Sequence, residues 1–181
     1  MLGGHIKSQV GATNIQRVLT RLFEVRGQPI NGSYQLNVGG NTDFLNMLDR
    51  SRLMSKKTNE IQSVLGLMDG KQFDPQNFSS GPSDYVSWLK DNNPCSLRIE
   101  AEQFGGVTMN VAVWLPVEDS PNSAGVTTDA VRAARAALDP KLSGPLIEAN
   151  AHPSKSPVHQ FEDTGAREML KRFAEPFGRY H

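Results

Sequence analysis

Two alternating runs joined by a pair of glycines place the strongest constraint on how this chain folds. In Leu97–Phe104 the residues Leu97, Ile99 and Ala101 alternate with Arg98, Glu100 and Glu102. Val107–Val117 follows after Gly105-Gly106 and sets Met109, Val111, Val113 and Leu115 on one face. A period of two on both sides of a glycine turn predicts an antiparallel hairpin. Trp114 falls on the other face, so the sheet carries apolar residues on both sides. Such a sheet covers one face with helices and offers the other to subunit assembly.

The flanking segments supply the helices. From Thr13 the residues Ile15, Val18, Leu19, Leu22 and Phe23 recur at helical spacing, with Thr13 and Gln16 as a capping box and Gly27 and Pro29 as the stop. Ser33–Val38 reads as a strand, Asp43–Arg50 as a short helix and Lys56–Leu67 as another, with Ile61, Val64 and Leu65 on one side. Lys71–Ser83 is rich in Gly, Pro, Asn and Ser and reads as a long loop. A further helix enters at Pro121, capped by Asn122 or Ser123. It buries Val126, Ala130, Val131, Ala134, Ala137 and Leu138, and stops at Asp139-Pro140. The last helix spans Asp163–Ala174, with Ala166, Met169, Leu170 and Phe173 inward. Strands and helices in mixed order, without regular βαβ alternation, predict an α+β fold: one domain over 1–181, a mixed sheet and helices on one face.

Composition narrows the function. Lys+Arg and Asp+Glu both number 19, and this balance argues against nucleic acid as the main partner, since phosphate binding needs clustered positive charge. No apolar run approaches the ~20 residues that span a bilayer. The single cysteine, Cys95, cannot form an internal disulfide, and with no secretory signal the expected setting is the cytoplasm. His152 and His159 fit no common metal spacing, and no metal site is expected. No G-x-G-x-x-G follows a strand, so the chain carries no dinucleotide fingerprint of its own.

Four polar turns carry the candidate chemistry: Gly39–Asp43, Ser55–Lys57, Glu118–Gly125 and Ser154–Pro157. Singly, each is an ordinary turn or solvated face, and Asp119 reads as a helix cap. Together, two lysines and a row of backbone N–H groups suit a phosphorylated, hydroxylated ligand.

The motifs IKSQVGAT (Ile6–Thr13), QLNVGGNTDFLNML (Gln35–Leu48), SKK (Ser55–Lys57), GPSDYVSWL (Gly81–Leu89), EDSPNSAGV (Glu118–Val126), SGPL (Ser143–Leu146) and KSP (Lys155–Pro157) occur in order from Gly3 to about Phe173. In these the chain resembles the catalytic and oligomerisation domain of myo-inositol-1-phosphate synthase, in its shorter prokaryotic form. The resemblance implies conversion of glucose 6-phosphate to inositol 3-phosphate by oxidation, aldol cyclisation and reduction with NAD as cofactor. It implies Lys56 and Lys155 as catalytic lysines. Asn41, Asp43, Asp119 and Ser120 would lie beside the cofactor, and Ser8, Asn41, Lys56 and Lys155 would bind the sugar phosphate. It also implies a dimer or tetramer, a junction segment over 1–12 and a C-terminal helix and tail over 160–181.

Two positions depart from the family pattern. Where the family reads G-D-D-I-K-S at the junction, this chain has His5 for the second Asp. Where it reads I-S-K-T after the double lysine, Glu60 replaces the lysine, with Lys56 or Lys57 as a local partner at helical spacing. The family's NAD domain is built largely from sequence ahead of this match. The chain alone is therefore expected to be inactive and to need a separate NAD-binding half. The alternative is a non-catalytic relative that assembles or binds sugar phosphate.

Overall fold

A computed structural model describes residues 6–66, 74–138 and 144–177. The described chain forms two compact units, Val10–Ser120 and Met1–Gln9 with Pro121–His181.

The unit Val10–Ser120 is built on a mixed five-stranded sheet. Strand β1 (Ile30–Gly39) pairs in parallel with two short strands, β2 (Phe78–Ser79) and β3 (Pro82–Tyr85), and antiparallel with β4 (Asn92–Glu102). The long partner of β4 is β5 (Thr108–Glu118), in the register Cys95↔Leu115, Leu97↔Val113 and Ile99↔Val111. The predicted hairpin is thus present. Its turn is a short 3-10 segment in which Gly105 and Gly106 take positive φ, 78° and 75°, a conformation that costs glycine little. Helices α1 (Ala12–Val25) and α3 (Arg50–Leu65) cover one face. There Phe23 and Val64 pack with Ile30, Phe78, Cys95, Leu97, Ile99 and Ala101, backed by Met109, Val111, Val113 and Leu115. Trp114 stands on the other face, 68% exposed.

Helix α1 runs against expectation. Its N-cap is Gly11, with no side-chain cap, and Thr13 and Gln16 lie inside the helix and buried. The capping box is therefore not used. The apolar stripe faces the sheet only in part: Phe23 and Leu19 pack into the core, but Val18 and Leu22 are exposed, whereas the polar Gln16, Arg17 and Thr20 are buried. The polar face is held by partners that local sequence cannot reveal. The Gln16 amide donates to Ser33 Oγ at 2.8 Å. Arg17 Nη1 donates to the Ser63 carbonyl and, at 3.1 Å, to Ser63 Oγ.

The long-loop reading also gives way. Leu67–Phe73 lies outside the described residues, but a 3-10 turn at Pro75–Asn77 leads directly into β2 and β3. These strands gain their hydrogen bonds from β1, so the proline and small polar residues in them do not prevent pairing.

In the unit Met1–Gln9 with Pro121–His181, α4 spans Asp119–Leu138, with its first two residues belonging to the sheet unit. It begins earlier than Asn122 or Ser123. It buries Val126, Ala130, Ala133 and Ala137, while Val131 and Leu138 are exposed; Asp139-Pro140 lies outside the described residues. Helices α5 (Ile147–Ala151) and α6 (Asp163–Ala174) close a small core of Ala133, Ala149 and Leu170 with Leu146 and Phe173. The last helix has the predicted bounds. No helix among the described residues is long and apolar enough to cross a membrane.

Candidate functional site

The turn after β1, Gly39 to Asp43, leads into the short helix α2 (Thr42–Asn46). Asn41 caps it: Oδ1 accepts from the Asp43 and Phe44 N–H groups at 3.1 and 3.2 Å. The Gly40 N–H donates to the Lys90 carbonyl at 3.0 Å. A Cβ on Gly39 would meet the Phe44 ring at 2.5 Å, and one on Gly40 would meet Lys90 N and Val86 O at 2.5 Å. The two glycines thus admit the protein's own backbone and an aromatic ring. Gly40, Asp43 and Phe44 spend their N–H groups on internal acceptors, so these three are not donors to an anion.

The other end of the Asn41 side chain reaches across the sheet. Its Nδ2 donates to Asp119 Oδ2 at 3.0 Å and, at 3.5 Å, to Asp91 Oδ1. Asp91 immediately precedes β4, and Asp119 and Ser120 follow β5, so hairpin register brings all of them to the sheet end where β1 terminates. Asp91 is the hub. It accepts from the Ser120 N–H at 2.9 Å and the Ser120 hydroxyl at 2.8 Å, while its own carbonyl accepts from Asp119 N at 3.0 Å. Burial alone would raise the Asp91 carboxyl, but the two bonds from Ser120 and the one from Asn41 hold it below its ordinary value. Asp91 in effect caps α4 from a distant strand, which explains why that helix starts at Asp119.

Asn41, Asp119 and Ser120 are therefore brought together, with Asp43 exposed two residues beyond the Asn41 cap. Sequence reasoning missed Asp91, because an isolated Asp in KDNN carries no motif. The preceding Lys90 has φ of 52°, in the left-handed region, a strained conformation for a lysine.

Lys56 lies in the second turn of α3. Near it, Glu60 is 2% exposed and accepts from the Ser80 hydroxyl at 3.1 Å. Ser80 precedes Gly81, where a Cβ would meet Lys57 Cγ at 2.7 Å. The carboxylate thus belongs to a buried polar layer. Burial first, and the Glu60 charge second, push the Cys95 thiol up to about 12, so Cys95 is an inert core residue. His5 lies outside the described residues.

In the other unit, Ser8 is half-buried and follows Lys7, whose N–H donates to the Pro153 carbonyl at 2.7 Å. Ile6 forms an antiparallel bridge with Ser154. This places the Ser8 segment beside the turn that carries Lys155. Among the described residues no group of three or more His, Cys, Asp or Glu is arranged to hold a metal ion.

Fold and turns together define an α+β domain with a mixed sheet and an acid- and amide-rich cluster at one sheet end. The family model described as Myo-inositol-1-phosphate synthase matches residues 11–120, and the chain belongs to that family. It is 50% identical over 178 residues to inositol-3-phosphate synthase of Corynebacterium glutamicum, covering 96% of this chain and 49% of that protein. Against the Mycolicibacterium smegmatis inositol-3-phosphate synthase the identity is 49% over 178 residues, covering 97% of this chain and 49% of that one. The crystal structure of a myo-inositol-1-phosphate synthase-related protein from Thermotoga maritima superposes with a TM-score of 0.72 at 26% identity, covering 93% of this chain and 44% of the other. The chain spans about half the length of the curated relatives it matches.

Proposed function

We propose that this chain supplies the sugar-phosphate half of an inositol-3-phosphate synthase, the activity that converts glucose 6-phosphate to inositol 3-phosphate. The observation that supports it is the Asn41–Asp91–Asp119–Ser120 cluster, within a stretch that shares half its residues with named synthases. The Asp91 and Asp119 carboxylates keep lone pairs beyond their internal bonds, which can accept from sugar and ribose hydroxyls, while Asn41 is held at both ends and fixes their position. This acceptor set fits the nicotinamide–ribose end of NAD. With Gly40, Asp43 and Phe44 N–H already engaged, it does not suit the pyrophosphate. NAD, when bound, supplies reversible hydride acceptance at the sugar. Asn41, Asp43, Asp119 and Ser120 orient that group and the sugar hydroxyls. Lys56 and Lys155 offset the negative charge that develops on oxygen during enolisation and ring closure, and with Ser8 they bind the phosphate.

In this reading the remaining half of the relatives' length provides the dinucleotide-binding domain, and the chain alone makes no product. The Trp114 face of the sheet serves assembly into a dimer or tetramer. The test mixes the 181-residue chain with the separately expressed NAD-binding half of a relative and follows inositol phosphate from glucose 6-phosphate. We expect no product from the chain alone and, with Glu60 in the lysine position, at least about 10²-fold less than from an intact relative when the halves are combined. Turnover comparable to the intact relative would show that Glu60 and His5 are tolerated. Failure to bind glucose 6-phosphate at all would sink the reading.

A further inference from the structure

Lys7 is a lysine in an unusual place. Its side chain is 3% exposed, and Nζ lies 3.1 Å from Asp163 Oδ1. Lysines are almost never buried unless paired, and Asp163 opens α6, where the helix dipole favours a carboxylate. The same residue ties down its surroundings through the backbone. Its N–H donates to Pro153 O at 2.7 Å, and the adjacent Ile6 bridges Ser154. Ser154 is 2% exposed, and its Oγ accepts from Ser156 N at 3.2 Å. Beyond the turn, Gln160 Nε2 donates to the Lys155 carbonyl at 2.9 Å. Lys155 therefore sits in a turn clasped before and after, with Lys7 as the bridge between that turn and α6.

A buried ion pair is a poor device for stability alone. Apolar residues of the same volume commonly serve as well or better, whereas removing one partner is severe. What a pair with directed bonds adds is a defined position. We propose that the Lys7–Asp163 ion pair is a positioning device for Lys155, locking the Ile6–Ser8 segment and the Pro153–Ser156 turn to the start of α6 so that the Lys155 ammonium is presented in one place. This rests on the reading of Lys155 as the charge-stabilising lysine.

The test uses the full chain and the double variant Lys7→Met/Asp163→Asn, which removes both charges and leaves no ion unpaired. ¹⁵N relaxation is measured at the Lys155 amide, and glucose 6-phosphate is titrated in by NMR. We expect the double variant to fold, the Lys155 order parameter to fall from about 0.85 to below about 0.6 while α6 stays rigid, and glucose 6-phosphate affinity to drop about tenfold. Asp163→Glu, which keeps the charge, retains both properties and covers the case in which the double variant does not fold: a mobile Lys155 turn there overturns the proposal. A lower Tm with an unchanged Lys155 order parameter also overturns it, because the pair would then only stabilise. If the unmodified chain shows no shifts with glucose 6-phosphate, the sugar-phosphate reading fails, and the relaxation measurement still decides for or against the pair.

Discussion

Gly40 has no room for a side chain, because the atoms a Cβ would strike, Lys90 N and Val86 O, are backbone and cannot swing away. Gly40→Ala should therefore cost about 1–3 kcal/mol and lower the Tm by several degrees, measured by calorimetry. It should also loosen the Asn41 cluster that this turn positions. His152 offers a second test at this scale. Burial, and then the Lys7 charge, depress its folded value below the ordinary 6.5, outweighing the opposing pull of Asp163 and Asp129, while Arg167 adds to the depression. Between the folded and unfolded values the unfolded chain binds more protons, so stability rises with pH there. The contribution is complete above about 6.5 and is lost as pH falls through that value towards the folded one. In urea titrations, His152→Gln should flatten the decline of stability below about pH 6.5; an unchanged slope would refute the assignment. None of this was legible in the sequence, where His152 was one of four histidines without a motif.

At the level of elements, α1 and α3 show how a polar layer can lie under a sheet. Arg17 from α1 grips Ser63 of α3, and Glu60 stands one helical turn before Ser63, taking the Ser80 hydroxyl. Glu60 is thus built into the interior of this unit. A lysine cannot simply be restored at that position to recover the family pattern. Glu60→Lys would bring a second cation into the layer that holds the buried Arg17 guanidinium, and would strip Ser80 of its acceptor. We expect a loss of about 3–5 kcal/mol by urea unfolding. A variant as stable as the parent would show that the layer tolerates either charge. The sequence misled here for a definite reason. Hydrophobic periodicity in α1 located the helix correctly within a residue and placed Phe23 and Leu19 against the sheet, but it missed that Gln16, Arg17 and Thr20 are buried beside them while Val18 and Leu22 face out. The partners that satisfy Gln16 and Arg17 come from β1 and α3, which no window along α1 contains.

For the whole molecule, the sheet face with Trp114 at 68% exposure, Leu36 at 45% and Tyr34 at 36% is the surface that assembly would bury. Trp114→Glu should convert the proposed oligomer to monomer in light scattering over a dilution series, with the Tm little changed; an unmodified chain that is monomeric throughout would refute the assembly reading. Several things follow from the sequence by itself. The β4–β5 hairpin and its face assignment are dictated by strict alternation about Gly105-Gly106, and α6 by its apolar spacing, since both depend on neighbours close along the chain. The motifs likewise carry the family, because residue order alone is enough to match it. Tertiary structure decided the rest. It made strands of Phe78–Ser79 and Pro82–Tyr85 by giving them β1 as a partner. It made Asp91 the hub of the Asn41–Asp119–Ser120 cluster, and turned the polar side of α1 inward. In each case the deciding hydrogen bond joins residues far apart in the chain, and its free energy outweighs local preferences that are worth only tenths of a kcal/mol to about 1 kcal/mol per residue.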